Sequence, residues 1–264
     1  MNKKTIQSVF LGMILLLMYL PILLLAVYSF MDSAIIGRSG SFTVKNVYLF
    51  HSEDLRSMIF GTLILAVVVA VISTILGTLG AIGAFYSSKK LKRPIHLMNQ
   101  IPVVNADVVT GFSICVLLIV FFKMDKASYI PLVIGLVSLC SPFVYLSVIP
   151  RLKQMDPQLY EAALDLGCSS FGALRKVVLP QLTSGIVSGF MMSITLTLDD
   201  YFITTYTKPS MFDTISTYVV NATKGAQTDV KTALWALSTI IFLIVIFVVI
   251  GMNHTGRKEN DHEI

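Results

Sequence analysis

Six long apolar runs, near residues 8–30, 58–86, 101–122, 129–150, 183–206 and 233–252, constrain this chain more than any other feature. Each reaches the roughly 20 residues that a helix needs to cross about 30 Å of bilayer hydrocarbon. A spanning segment must satisfy its own N–H and C=O groups, so only helices and closed barrels qualify. A barrel would read as alternating segments of about ten residues, whereas these runs are continuous. The expectation is an all-α polytopic membrane protein with six transmembrane helices, one membrane domain over residues 1–264. The 55% hydrophobic and 13% charged composition and the mean hydropathy of +0.79 exceed what a soluble domain carries. The longest polar stretches, 31–57, 151–182 and 207–232, leave no room for a separate soluble domain.

The start, Met1-Asn2-Lys3-Lys4 before an apolar run, has a secretory look. A signal peptide's apolar region, however, covers only about 7 to 15 residues, and this longer one reads as a retained first span. Pro21 within it is tolerable where neighbours satisfy the freed carbonyl. With the amino terminus inside, twelve Lys and Arg fall in inner segments and eight in outer ones, the tightest cluster being Lys89 to Arg93 on the inside. This bias predicts both termini in the cytoplasm. The net charge of +5 is scattered over span ends, which suits lipid headgroups and gives no stripe for nucleic acid. Cys115 and Cys140 fall in predicted spans and Cys168 in a loop, so neither a disulfide framework nor a metal site is predicted.

Within the second span, Gly77, Gly80 and Gly83 with Ala81 and Ala84 form a small-residue stripe, read as close helix packing. The fourth span is expected to be interrupted at Ser141-Pro142, either as a simple kink or as a broken helix lining a path.

The loop over 151–182 is the most informative polar stretch. Asp156-Pro157 makes a helix start, a carboxylate cap followed by proline in the first turn. Leu159, Ala162, Ala163 and Leu166 then recur on one face, with Gln158, Glu161 and Asp165 on the other. Gly167 suits the left-handed residue that ends a helix, and Ser169 or Ser170 can cap a second one stopping near Leu179-Pro180. A helix lying on the membrane surface would carry Lys and Arg opposite large apolar residues. Small Ala162 and Ala163 beside acidic Glu161 fit a groove in a protein partner better.

The spacing Glu161-Ala162-Ala163, three residues, Gly167, nine residues, then Val177-Val178-Leu179-Pro180 resembles the cytoplasmic coupling loop of ABC-type importer permeases. Only Val177, where that family favours isoleucine, departs from it. The loop's position between the fourth and fifth of six spans is also the family's. The resemblance implies the type I importer permease fold and ATPase coupling through Glu161, Ala162, Ala163, Gly167, Leu179 and Pro180. No G-x-x-x-x-G-K-[ST] phosphate loop occurs, so the chain is not itself the ATPase. It is expected to be no enzyme and to hold no cofactor, with ATP-Mg belonging to a cytoplasmic ABC ATPase dimer.

Three acids fall in apolar surroundings: Asp199 and Asp200 in the fifth run and Asp107 early in the third. A charge at mid-membrane costs on the order of 3 kcal/mol on insertion scales, so such groups tend to face a cavity and to have a function. Adjacent helical residues point about 100° apart, so one of the pair is expected to face a pore while its neighbour bonds another helix. The structural alternatives are a bond between helices, a pairing with a residue such as Lys208, and a span boundary lying elsewhere. Tyr201 and Tyr206 offer rings for a cation or anchors at the interface.

Leu198-Asp199-Asp200 before an aromatic residue, Ala106-Asp107-Val108-Val109, and Tyr19-Leu20-Pro21-Ile22 through Tyr28-Ser29-Phe30 are similar to spermidine/putrescine permeases of the second-subunit type. That resemblance covers essentially the whole chain and implies a polyamine substrate. The path would include Asp199, Asp200, Asp107, Tyr201 and Tyr206. It also implies a second homologous permease subunit and an extracytoplasmic substrate-binding protein. The other readings are the same fold serving an anion, a metal complex or a sugar, and an ion-coupled carrier in which the acids form a relay. The carrier reading leaves the Glu161 to Pro180 spacing unexplained. A membrane enzyme finds no H-E-x-x-H or G-x-S-x-G motif here.

Overall fold

The computed structural model describes residues 3–28, 53–105, 107–156 and 158–224, and the last expected span, 233–252, lies outside them. The described residues form helices joined by turns, with no strand among them. By packing, the chain divides into two compact units, residues 1–57 with 218–264, and residues 58–217. In the first unit, α1 (Lys3–Tyr28) runs unbroken through Pro21. Phe10, Leu11, Leu17 and Met18 on it are all exposed, as befits a helix apolar all round whose surroundings are lipid or other helices.

Next come α2 (Glu53–Tyr86), which begins in the first unit, α3 (Lys89–Val104) and α4 (Asp107–Phe121), whose last residues, Val116–Phe121, widen into a π-helix. They are followed by α5 (Ile130–Gln154), α6 (Gln158–Asp165), α7 (Ser170–Gln181, π-helical over Leu174–Val178), α8 (Thr183–Asp199) and α9 (Phe202–Thr207). The last helix, α10 (Ile215–Lys224), starts in the second unit and continues in the first.

The core of the second unit is α5. Leu132, Leu136, Val144, Val148 and Leu152 on it are all fully buried. One apolar cluster gathers around Leu132, Leu136 and Cys140 with Leu65, Val69 and Ile203. The other gathers around Val144, Val148 and Leu152 with Ala81, Ala84, Met155, Val178 and Leu182. Antiparallel to α5 lies α8: Gly185 faces Ser147 and Arg151, Gly189 faces Val144, and the Cys140 thiol reaches the Ser193 carbonyl and the Thr197 hydroxyl. Val144 is also approached by Gly77 of α2, where an added Cβ would fall 2.6 Å from the valine Cβ. Of the predicted stripe, Gly77 thus makes a close backbone approach, while Gly83 has open space beside it.

Several expected boundaries differ from the structure. Two described helices, Arg56–Tyr86 and Ile130–Gln154, are long and apolar enough to cross a membrane unbroken, and two bent pairs could each complete a further span. The third run does not form one rod: residues 101–104 belong to α3, which meets α4 at 104°. The Asn105 backbone between them is extended. Of the two readings at Ser141-Pro142, the broken helix is absent, because α5 continues as helix through both Pro142 and Pro150. Packing along its whole length holds it, and Ser141 and Ser147 hydroxyls donate to the carbonyls of Val137 and Phe143. The helix expected to stop near Leu179-Pro180 runs on to Gln181 and bends by 70° at Leu182. There the Thr183 hydroxyl donates to the Pro180 carbonyl at 2.6 Å. The fifth run breaks instead at Asp200, whose ψ of 123° is extended.

Candidate functional site

The two bends at the ends of α8 hold the predicted functional residues. At its C-terminal end the chain leaves helix at Asp200 and re-enters it at Phe202. The Asp200 side chain turns inward, 8% exposed. Its carboxylate accepts the Thr204 N–H at 2.8 Å, the Thr204 hydroxyl at 2.8 Å and the Ile203 N–H at 3.4 Å. It therefore caps the first turn of α9, as a carboxylate at a helix start can. Carbonyls freed by the break are also satisfied, since the Ser216 hydroxyl donates to those of Asp200 at 2.9 Å and Asp199 at 3.3 Å. Asp199 itself is exposed, and its carboxylate has no partner among the described residues.

Asp107 is brought to the same corner by α4, which runs parallel to α9. A Cβ on Gly111 would lie 3.1 Å from the Ile203 backbone, and one turn later the Cys115 thiol donates to the Tyr206 carbonyl at 3.3 Å. One turn before Gly111, Asp107 is exposed in the first turn of α4, towards the Asp200 end of α9. Tyr206 is half-buried with its ring edge-on to Phe112, the centroids 5.9 Å apart. Tyr201 meets Phe202 at 5.3 Å. Lys208, the alternative partner for the acid pair, instead binds Asp213 at 2.9 Å. The corner thus presents two exposed carboxylates, a set suited to attracting a cation, with half-buried Tyr201 two residues from Asp199 in sequence.

At the other end of α8, Asp156 accepts the Gln158 N–H at 2.9 Å and opens α6; Pro157 lies outside the described residues. Gly167 takes φ +85°, the left-handed value that closes such a helix. Ser169 caps α7 by accepting the Gly172 N–H at 3.2 Å. Of the predicted apolar face, only Ala163 is buried; Leu159 is 42% and Leu166 86% exposed, and Phe171 beside them is 74% exposed. Glu161, Ala162 and Pro180 are exposed and Leu179 half-buried. The loop is anchored from beneath: Tyr160 packs on Tyr86 at 5.0 Å, and Val178 and Leu182 enter the core cluster of Leu152 and Met155. What faces outward is an acid, small residues and unpartnered apolar side chains, which together suit a protein partner.

Sequence reasoning missed the hydroxyls that hold the acidic corner, Thr204 and Ser216. Only a partial signal was present: aspartate is a residue type that caps helix starts, and nothing local singled out Thr204. Ser216 lies sixteen residues from Asp200 and left no local trace.

Residues 74–255 match the family described as binding-protein-dependent transport system inner membrane component. The chain is 27% identical over 262 residues to the spermidine/putrescine transport system permease protein PotC of Escherichia coli strain K12, covering 98% of this chain and 97% of that protein. It is 28% identical over 258 residues to the putrescine transport system permease protein PotI of the same organism, covering 91% and 88%. In three dimensions it is similar to a chain of a bacterial alginate ABC transporter solved with a pentasaccharide-bound periplasmic protein. The TM-score is 0.69 at 18% identity, over 96% of this chain and 94% of the other, which is a likeness of fold.

Proposed function

Because the chain belongs to the binding-protein-dependent transport system inner membrane components, we propose that it is the permease subunit of an ATP-driven importer carrying polyamines such as spermidine and putrescine across the cytoplasmic membrane. The observation that carries the substrate is the similarity, over nearly the whole chain, to permeases whose names give spermidine and putrescine. The acidic corner supports it. A linear polyammonium ion is matched by carboxylates for charge and by aromatic faces for cation-π attraction; Asp199 and Asp107 are exposed there, and Tyr201 and Tyr206 are half-buried at the start and near the end of α9. Asp200, capping α9, fixes the corner's shape.

The chain pairs with a second homologous permease subunit to enclose the path. An extracytoplasmic binding protein delivers substrate, and a cytoplasmic ABC ATPase dimer, with its own ATP-Mg, receives the loop through Glu161, Ala162 and Ala163, with both termini of this chain on the ATPase side. Nucleotide-driven closure of the ATPase moves the coupling helix, and rigid-body rocking changes the side to which the path opens. The residues of this chain bind and position; bond making and breaking belong to the ATPase.

The test is uptake of labelled spermidine by cells lacking their own polyamine importers and expressing this chain with its partner subunits. The expected result is ATP-dependent accumulation that vanishes when this chain is omitted. ATP-dependent uptake of a different solute would discard the substrate, and accumulation that follows only the proton gradient would discard the mechanism.

A further inference from the structure

A cavity of ≈ 470 Å³ opens where the end of α2, the start of α3 and the last turns of α5 meet, lined by Ala84, Phe85, Lys92, Arg93, His96, Tyr145, Ile149 and Lys153. Its chemistry is opposite to that of the acidic corner. Three of the lining residues are cations, a fourth is histidine, and none is acidic. Among the described residues, no carboxylate pairs with Lys92, Arg93 or Lys153, whereas Lys208, away from the cavity, pairs with Asp213. The Lys92 ammonium rests instead over the Phe85 ring, 5.1 Å from its centroid.

The helix that supplies the basic residues sharpens the imbalance. A helix N-terminus carries about half a positive charge and favours anions. The first turn of α3 holds no acid, and its N-cap Ser88 makes no side-chain capping bond. Lys90, Lys92 and Arg93 therefore add positive charge to an end that is already positive. An arrangement of this kind is relieved by an anion from outside the chain.

We propose that this cavity binds a phosphate group, carried either by an anionic phospholipid or by a soluble phosphate. Basic pockets between membrane helices suit lipid headgroups, and here the inner wall of Tyr145 and Ile149, with Phe85 and Ala84, is apolar beneath the basic rim, as an acyl chain below its phosphate requires. Arginine offers a fork for two phosphate oxygens, and lysine a point charge. A polyamine is repelled by the same residues, so the cavity lies off the substrate route. Its wall is continuous with the coupling loop: Tyr145 and Ile149 share a core cluster with Val178 and Leu182, and Tyr86, next to Phe85, packs at a tilt on Tyr160. An anion clamping α3 to α5 would stiffen the support of that loop.

The experiment uses the intact importer, purified with its partner subunits in detergent and stripped of lipid. Phosphatidylglycerol and phosphatidylcholine with the same acyl chains are titrated in and counted by native mass spectrometry, and inorganic phosphate binding is followed by calorimetry. A lipid site predicts a phosphatidylglycerol preference that weakens about a hundredfold in the triple variant Lys92→Gln, Arg93→Gln, Lys153→Gln. It is unchanged in the control Lys123→Gln, Lys126→Gln and retained in the charge-conserving Lys92→Arg, Lys153→Arg. A soluble source predicts phosphate binding without lipid preference, lost in the same triple variant. If the triple variant binds both probes as the wild type does, the proposal is overturned. Should that variant not assemble, Arg93→Gln alone, expected to bind about fivefold more weakly, is judged by the same outcomes.

Discussion

Helix α8 ends in a bend at each terminus, and the two bends differ in what lies buried at their centre, a leucine at one and a carboxylate at the other. At Leu182 the chain turns by 70° around a fully buried leucine packed with Leu152, Met155 and Val178. At Asp200 it turns on hydrogen bonds: a carboxylate accepts from Ile203 and Thr204, and a serine hydroxyl closes two carbonyls. The first corner rests mainly on its buried apolar volume, with one side-chain bond beside it, the Thr183 hydroxyl donating to the Pro180 carbonyl at 2.6 Å. The second is fixed in angle, because hydrogen bonds weaken steeply off line. Between them α8 lies on α5 through Gly185 and Gly189. A helix with one packed end and one bonded end is suited to carrying a displacement from the coupling loop to a corner of unchanging shape.

The largest effect should come from breaking the bonded corner. Asp200→Ala orphans two amides and a hydroxyl in a buried site, for a loss of about 3 to 5 kcal/mol, read as a fall in the thermal midpoint of the detergent-solubilised importer or as failure to assemble. Leu182→Ala removes packing from the other corner and should cost about 3 kcal/mol. The two differ in rescue: Leu182→Met should restore most of the stability, as a near volume-conserving swap does, whereas Asp200→Leu should not. If Asp200→Leu proved as stable as wild type, the distinction between the corners would be lost.

Gly111 is where α4 meets α9 and brings Asp107 to the bonded corner. Gly111→Ala would set a methyl 3.1 Å from the Ile203 backbone, forcing α4 and α9 apart at a cost of about 1 to 3 kcal/mol. If the corner works as a unit, spermidine uptake should fall along with stability, though neither Asp107 nor Asp199 is altered. Unchanged uptake would mean that Asp107 acts alone.

These corners also mark how far the sequence could be read. The loop was legible because its signals are local: Asp156 caps α6, Gly167 takes positive φ, and Ser169 caps α7, all within a few residues of the groups they serve. The family likewise followed from a spacing inside one loop. The breaks were less legible, because whether an apolar run stays one helix depends on packing. Pro142 gave a strong local reason for a broken helix, yet α5 continues through it, with Gly77 of α2 and Gly189 of α8 both packed close to Val144. Asp200, with no proline near it, ends α8 because Thr204 and the distant Ser216 satisfy what the break exposes.

The smallest effect on stability, and the most telling, belongs to Asp199. It sits beside Asp200 in sequence, but its side chain is exposed and unpartnered among the described residues, so Asp199→Asn should change stability by no more than about 0.5 kcal/mol. Removing its charge should nonetheless weaken polyamine uptake, because an exposed carboxylate attracts a passing cation without supporting the fold. Asp200→Asn should do the reverse in proportion: an amide oxygen still accepts from Thr204, but more weakly than a carboxylate, so stability falls by about 1 to 2 kcal/mol and uptake falls with it. Measuring the thermal midpoint and the initial uptake rate for both variants separates the roles. Uptake lost without destabilisation at Asp199, and lost in step with it at Asp200, assigns the substrate contact to the first and the scaffold to the second. The opposite pattern would move the path to the buried side of the corner.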